Sequence, residues 1–254
     1  MILKLSSVSK SFGVKNKSKI TVLENINMEV NDGEWIGIVG ESGSGKSTLA
    51  KIIMQMIPYD SGDIYFDGIL KKDLIGKALS DYYKNIQMIF QDPLSAFSPR
   101  MRIEQFIIEP LINFGFYDKN RAISVAEELL DDVGLDRDKL QSYPHELSGG
   151  ELQRVAIART MGIGAKLIIF DEATSALDTK TQAKIIALLQ ELNAKKGFSA
   201  IFISHNIALI HKISNRTYVM KRGRIVEEFP SKELLQADRN TYTKLLVDAA
   251  RLRL

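Results

Sequence analysis

Gly40-Glu41-Ser42-Gly43-Ser44-Gly45-Lys46-Ser47-Thr48 combines glycines, hydroxyls and a lysine at a spacing that can hold phosphate. The glycines let backbone N–H groups turn toward an anion, and a helix beginning near Lys46 adds the positive end of its dipole. Lys46 can then reach the β- and γ-phosphates of a nucleotide while Ser47 coordinates Mg2+. The other reading is a glycine-rich turn with a chance lysine, and the flanks favour the first. Trp35–Val39 is an apolar, β-branched run that reads as a buried strand, and Leu49–Ile57 reads as a helix stopped by Pro58.

A second candidate is Asp171-Glu172, directly after Leu167-Ile168-Ile169-Phe170, a continuous apolar run that reads as a central parallel strand. There Asp171 would hold Mg2+ through water and Glu172 would polarise an attacking water. The competing reading is a pair of acids capping the next turn. Gln91 follows the apolar run Ile86–Phe90 and can offer its amide oxygen to a metal or a water, or be a solvated loop residue. His205 follows the strand-like Ser199–Ile203, at the same expected sheet edge as Lys46, Gln91 and Glu172; a capped or solvated histidine is the alternative. Phe12 ends a neighbouring strand, where its ring can stack on a purine or join the core.

Ser148 reads as the N-cap of a helix running to about Thr160. Gly149 and Gly150 follow it at once, although each costs roughly 1 kcal/mol of helix propensity relative to alanine. They make sense if a bare helix N-terminus must come close to an anion.

An alternation of strands and helices, interrupted once, must position these groups. Ile2–Val8 and Thr21–Val30 read as strands around a polar tip at Val14–Lys19; Ile64–Phe66 is a further strand and Lys71–Lys84 is weakly helical. From Leu94 to Leu147 helix follows helix, at Ile103–Phe114 and Ile123–Val133, with Phe97, Met101 and Phe106 assigned mainly to its core. Residues 94–147 therefore read as a helical subdomain inserted into an α/β core made of 1–93 and 148–254, the helix after Ser148 continuing to about 162. Lys180–Lys196 is a helix closed by Gly197, Tyr218–Met220 and Arg224–Glu228 form a hairpin, and helices start at Ser231 and Thr241 before a solvated tail from Arg251.

Composition narrows the classes further. A formal charge of +3 over 254 residues is too small an excess to argue for nucleic acid. The absence of cysteine excludes disulfides, thiolate zinc sites and iron–sulfur clusters. No apolar run approaches the ~20 residues of a membrane span. Met1-Ile-Leu-Lys-Leu opens on a strand rather than a secretion signal, so a cytosolic protein that meets a membrane only through a partner is expected.

With Gly40 to Thr48, Gln91, Leu147-Ser-Gly-Gly-Glu151, Leu167 to Glu172, Ser175 to Asp178 and His205 in order, the chain resembles the ATP-binding cassette ATPases of ABC transporters over nearly its whole length. The resemblance implies a P-loop NTPase, RecA-like α/β core with an antiparallel β subdomain and an inserted all-helical subdomain, using ATP and Mg2+. It also implies that Phe12 stacks on adenine, where many members have tyrosine, and that Gln91 touches Mg2+ and relays occupancy to the helical block. Glu172 would be the general base and His205 would hold the γ-phosphate. Ser148, Gly149, Gly150 and Glu151 would form the signature that meets ATP on another subunit, with Asp178 added to the nucleotide contacts.

The words Ile89–Met101 and Tyr143–Gly150 are similar to the oligopeptide, dipeptide and nickel importers. Peptide members often carry a longer C-terminus with a cysteine cluster, so the expectation leans to the short second ATPase of a nickel or metal–metallophore importer, with peptide import as the alternative. The implied partners are a second ATP-binding subunit, distinct or identical, two integral membrane permease subunits and, indirectly, an extracytoplasmic substrate-binding protein. The implied place is the cytoplasmic face of the membrane. A soluble ABC ATPase acting on ribosomes or DNA is the rival class, but its members usually carry two cassettes or a long coiled-coil insertion.

Overall fold

A computed structural model describes residues 1–13, 19–175, 177–236 and 238–251. The polar tip expected at Val14–Lys19 falls outside them except for Lys19, as do Ala176 and the tail from Leu252. Two compact units emerge, Met1–Leu79 with Ser199–Leu254, and Ser80–Phe198. The helical block expected at 94–147 lies within the second, together with the helix after Ser148 and the strand that ends at Asp171.

The first unit opens with β1 (Leu3–Phe12), β2 (Ile20–Val30), β3 (Trp35–Val39), α1 (Lys46–Ile53), β4 (Ser61–Phe66) and β5 (Ile69–Leu70). After α2 (Gly76–Asn85) the second unit holds β6 (Ile86–Ile89), α3 (Ile103–Asn113), α4 (Lys119–Asp132), α5 (Gly149–Ile163), β7 (Leu167–Asp171) and α6 (Thr179–Lys196). The chain returns to the first unit with β8 (Ser199–Ser204), α7 (Ile207–Ile213), β9 (Arg216–Lys221), β10 (Arg224–Pro230) and α8 (Thr241–Arg251).

In the first unit β2-β1-β4-β5 form an antiparallel sheet, with Leu3, Leu5 and Val8 of β1 buried. A second set runs β10-β9-β3-β8, with β3 parallel to both β8 and β9. Every residue of Trp35–Val39 is buried, as its continuous apolar run requires of a central parallel strand. Helix α7 lies so close that a Cβ on Gly37 would stand 2.0 Å from Ile210 Cγ2.

In the second unit β6 and β7 pair in parallel, and α3, α4 and α5 pack on one another. Phe97 and Phe106 are buried and stacked with centroids 4.0 Å apart, and the Arg159 guanidinium lies 4.3 Å over Phe106, while Met101 is half-buried. Gln153 of α5 is 0% exposed, and both polar atoms of its amide lack a hydrogen-bond partner.

Several boundaries differ from expectation for local reasons. Helix α1 stops at Ile53, before Pro58, because Gln55 turns left-handed at φ +59. Lys71–Lys84 divides into a 3-10 turn at Lys71–Asp73 and α2 from Gly76. Ser231 starts only a 3-10 turn, Ser231–Glu233, and α7, capped by Asn206, was not expected. Lys71 is buried; its ammonium donates to the Ile52 carbonyl at the end of α1, and burial lowers its pKa to about 8.

Candidate functional site

In the first unit the chain leaves β3 at Val39 and turns through Gly40–Gly45 into α1, the order the motif requires. Gly45 precedes the helix at φ +104, and the first turn has neither a side-chain cap nor an acidic residue. A Cβ on Gly45 would stand 2.7 Å from Leu23 Cδ2, and one on Gly40 would stand 2.2 Å from the Met220 carbonyl oxygen. The loop is therefore pressed against β2 and β9, where only glycine fits. Lys46 is 5% exposed, and its ammonium donates to the carbonyls of Gly40 at 2.8 Å and Glu41 at 2.9 Å. An uncapped helix tip beside a buried ammonium is a cradle whose charge and donors suit a triphosphate.

Two supports for this loop carry no motif. The Glu41 N–H donates to the Tyr242 hydroxyl of α8 at 3.1 Å, and the Gly223 N–H in the β9–β10 turn donates to the Ser44 carbonyl at 3.0 Å. The Lys221 ammonium lies 4.4 Å from the centroid of the Tyr242 ring. Their separation in sequence, 201 residues for Glu41 and Tyr242, hides them from any local pattern.

Val39 pairs with Ser204 in the parallel register, so Gly40 and His205 leave the sheet at one edge. His205 is exposed there, and the helix cap beside it is Asn206, whose Oδ1 accepts from the Leu209 N–H at 3.1 Å. Phe12 is 41% exposed at the end of β1, so the core alternative for it falls. The Lys10 ammonium, paired with Asp60 at 2.9 Å, lies 5.2 Å from its ring centroid.

In the second unit Ile89 pairs with Phe170, so Gln91 and Glu172, each two residues further on, leave β6 and β7 at one edge. Asp171 is buried at the end of β7, whereas Gln91 is exposed. Glu172 adopts φ +49, a left-handed conformation that costs a non-glycine residue on the order of 1–3 kcal/mol. Its carbonyl closes the following turn by accepting from the Ser175 N–H at 2.9 Å and the Ser175 hydroxyl at 2.8 Å.

Ser148 caps α5, but the helix tip is not bare as expected. Glu151 completes a capping box, its Oε2 accepting from the Ser148 N–H at 2.8 Å and the Ser148 hydroxyl at 2.7 Å. Those donors, the main-chain one first, hold the Glu151 carboxyl below its ordinary pKa. The two glycines also divide their roles. A Cβ on Gly149 would meet nothing within 4 Å, whereas one on Gly150 would stand 2.9 Å from Thr181 Cγ2 in α6. Both line a cavity of about 570 Å³ with Ser148, Lys139, Arg154 and Asp178. Asp178 caps α6 by accepting from the N–H groups of Lys180 and Thr181, each at 3.0 Å, and its pKa is lowered by hydrogen bonds from Thr181 and then Lys180.

Among the described residues no three His, Asp or Glu side chains gather into a cage for a metal ion.

Residues 23–175 match the family model described as ABC transporter. The chain is 38% identical over 250 residues to the oligopeptide transport ATP-binding protein OppF of Streptococcus mutans, covering 98% of this chain and 81% of that protein. It is 37% identical over 254 residues to the glutathione import ATP-binding protein GsiA of Pectobacterium atrosepticum, covering 98% of this chain but only 41% of that protein. Among solved structures it is similar, with a TM-score of 0.81 and 31% identity, to a dimeric post-hydrolysis state of the ATP-binding cassette MJ0796 bound to ADP and Pi, covering 91% of this chain and 99% of that one. The two relatives' names speak of oligopeptide and glutathione and not of nickel, so the lean toward nickel or a metallophore finds no support in them.

Proposed function

Because the chain belongs to the ABC transporter family, whose cassettes hydrolyse ATP, we propose that it is the nucleotide-binding subunit of a peptide importer whose ATP is clasped between two chains. The observation that carries the shared site is the tip of α5, where Ser148 and an uncrowded Gly149 open onto a cavity walled by Asp178 and Lys139. The relatives named for oligopeptide and glutathione support peptide as the cargo class in place of nickel.

In this reading Lys46 and the first-turn N–H groups of α1 neutralise the phosphates, with Glu41, Ser42, Gly43 and Ser44 wrapping them, while Phe12 stacks on the adenine. Ser47, Gln91 and, through water, Asp171 would hold Mg2+, which would offset the negative charge of the phosphates. Glu172 takes the proton of the attacking water and His205 steadies the γ-phosphate. Ser148 and the N–H groups of Gly149 and Gly150 meet the γ-phosphate bound to the neighbouring chain. The neighbour is a second ATP-binding subunit, distinct or identical, and hydrolysis reopens the pair.

Among the described residues no helix is long and apolar enough to cross a membrane. Two permease subunits carry the passage, with the chain at their cytoplasmic face and a substrate-binding protein delivering cargo on the far side. Glu172→Gln tests the chemistry: ATP binding is retained, a closed dimer accumulates and hydrolysis falls by orders of magnitude. Near-normal turnover removes Glu172 from its role. Uptake of oligopeptide, glutathione and nickel by the reconstituted complex tests the cargo, and transport of nickel alone overturns the peptide reading.

A further inference from the structure

The tip of α5 carries an anion of its own. Glu151 Oε2 accepts from both the N–H and the hydroxyl of Ser148, so the hydroxyl offered to a neighbour's γ-phosphate is engaged within its own helix. A carboxylate this close also repels an approaching triphosphate. Its second oxygen, Oε1, lies 3.4 Å from the Lys139 ammonium. Lys139 comes from the short turn Arg137–Gln141 and reaches the wall of the same cavity. Arg154, on that wall too, places its guanidinium on the carbonyls of Val133 at 2.7 Å and Gly134 at 3.5 Å.

We propose that Lys139 is a positioning residue for the shared nucleotide site: by holding Glu151 through Oε1 it offsets that carboxylate, so that Ser148 and the α5 N–H groups can turn to the γ-phosphate of a neighbouring chain. This rests on the reading that α5 meets that phosphate. Lys139 acts through Glu151 and does not itself touch nucleotide. Its effect therefore exists only while residue 151 is charged. Glu151→Gln supplies the needed control, since a glutamine oxygen still accepts from Ser148 but leaves Lys139 nothing to offset.

The experiment uses the full chain carrying Glu172→Gln, with MgATP-driven dimerisation followed by sedimentation velocity and ATP binding at the phosphate loop followed separately by equilibrium binding. Lys139→Met raises the MgATP needed for half-maximal dimerisation by about threefold, as expected for a partly exposed pair, and leaves monomer binding unchanged. Lys139→Arg restores the parent value, and in a Glu151→Gln background Lys139→Met has no measurable effect. An equal loss in both backgrounds, or no loss with Glu151 present, overturns the proposal. If the Glu172→Gln parent itself binds MgATP but does not dimerise, the shared-site reading fails first and takes this inference with it.

Discussion

Replacing Gly149 or Gly150 by alanine separates folding from nucleotide closure at the tip of α5. The two glycines are neighbours in the first turn, where alanine is favoured over glycine by up to about 1 kcal/mol. A Cβ at Gly149 meets nothing within 4 Å, so Gly149→Ala keeps that gain and raises the unfolding midpoint by about 2–4 °C. At Gly150 the same Cβ stands 2.9 Å from Thr181 Cγ2, and overpacking of this kind costs about 1–3 kcal/mol. Gly150→Ala therefore ends between no change and a loss of about 2 kcal/mol. Closure follows the opposite order at Gly149. The new methyl enters open space at the helix tip; if it keeps a phosphate from one N–H group it must otherwise approach to about 3 Å, the lost hydrogen bond to a charged group removes about 1.5–3 kcal/mol. In the Glu172→Gln background the MgATP required for dimerisation then rises about tenfold or more. Thermal unfolding by circular dichroism reads the first quantity and sedimentation velocity the second. A Gly149→Ala chain that dimerises at the parent's MgATP concentration refutes the contact between this tip and a triphosphate, and a Gly150→Ala chain more stable than Gly149→Ala refutes the packing argument.

Three further outcomes concern a buried amide of α5, the brace of the phosphate loop and a buried lysine beyond α1. Gln153→Leu removes a wholly buried amide with two unpartnered atoms and raises stability by about 1–3 kcal/mol; a lower melting temperature would show that the amide is satisfied in solution. Tyr242→Phe deletes the hydroxyl that accepts from the Glu41 N–H, and steady-state kinetics show a KM for ATP raised about two- to tenfold with kcat within twofold. An unchanged KM removes Tyr242 from the support of the loop. Burial lowers Lys71 from 10.5 to about 8, so between those values the unfolded chain binds more protons and the stability contributed by this group rises with pH. Relative to Lys71→Met, urea unfolding of the wild type gains up to about 3 kcal/mol from below pH 8 to above pH 10.5, and a flat difference shows that the ammonium is solvated.

What could be read directly was what the chain settles locally. The order β3, loop, α1 follows from apolar flanks and glycine spacing within a dozen residues, and Leu167–Phe170 is a short continuous apolar run of the length and kind a buried parallel strand carries. Ends of elements were harder. Gln55 stops α1 by turning left-handed, and a glutamine gives no sign of doing so, whereas Pro58 gives a loud but later one. Ser231 looks like a helix cap, but its hydroxyl is bonded to those of Thr217 at 2.7 Å and Ser214 at 2.8 Å, a tertiary demand no local pattern encodes. At the site, Ser148 and Glu151 spell a capping box that was open to view and corrects the notion of a bare helix tip. Gly150 looks like its neighbour in the sequence, yet Thr181 explains it. Tyr242 and Gly223 were invisible because distance along the chain is no guide to what braces a loop.

That brace has a consequence for synthesis. A ribosome adding about 5–20 residues per second makes the phosphate loop roughly 10–40 s before the tyrosine that steadies Glu41, 201 residues later. A nascent chain thus displays the nucleotide motif well before it owns the scaffold for it. Whatever stabilisation ATP lends through the braced loop is therefore weighted toward polypeptides long enough to include Tyr242.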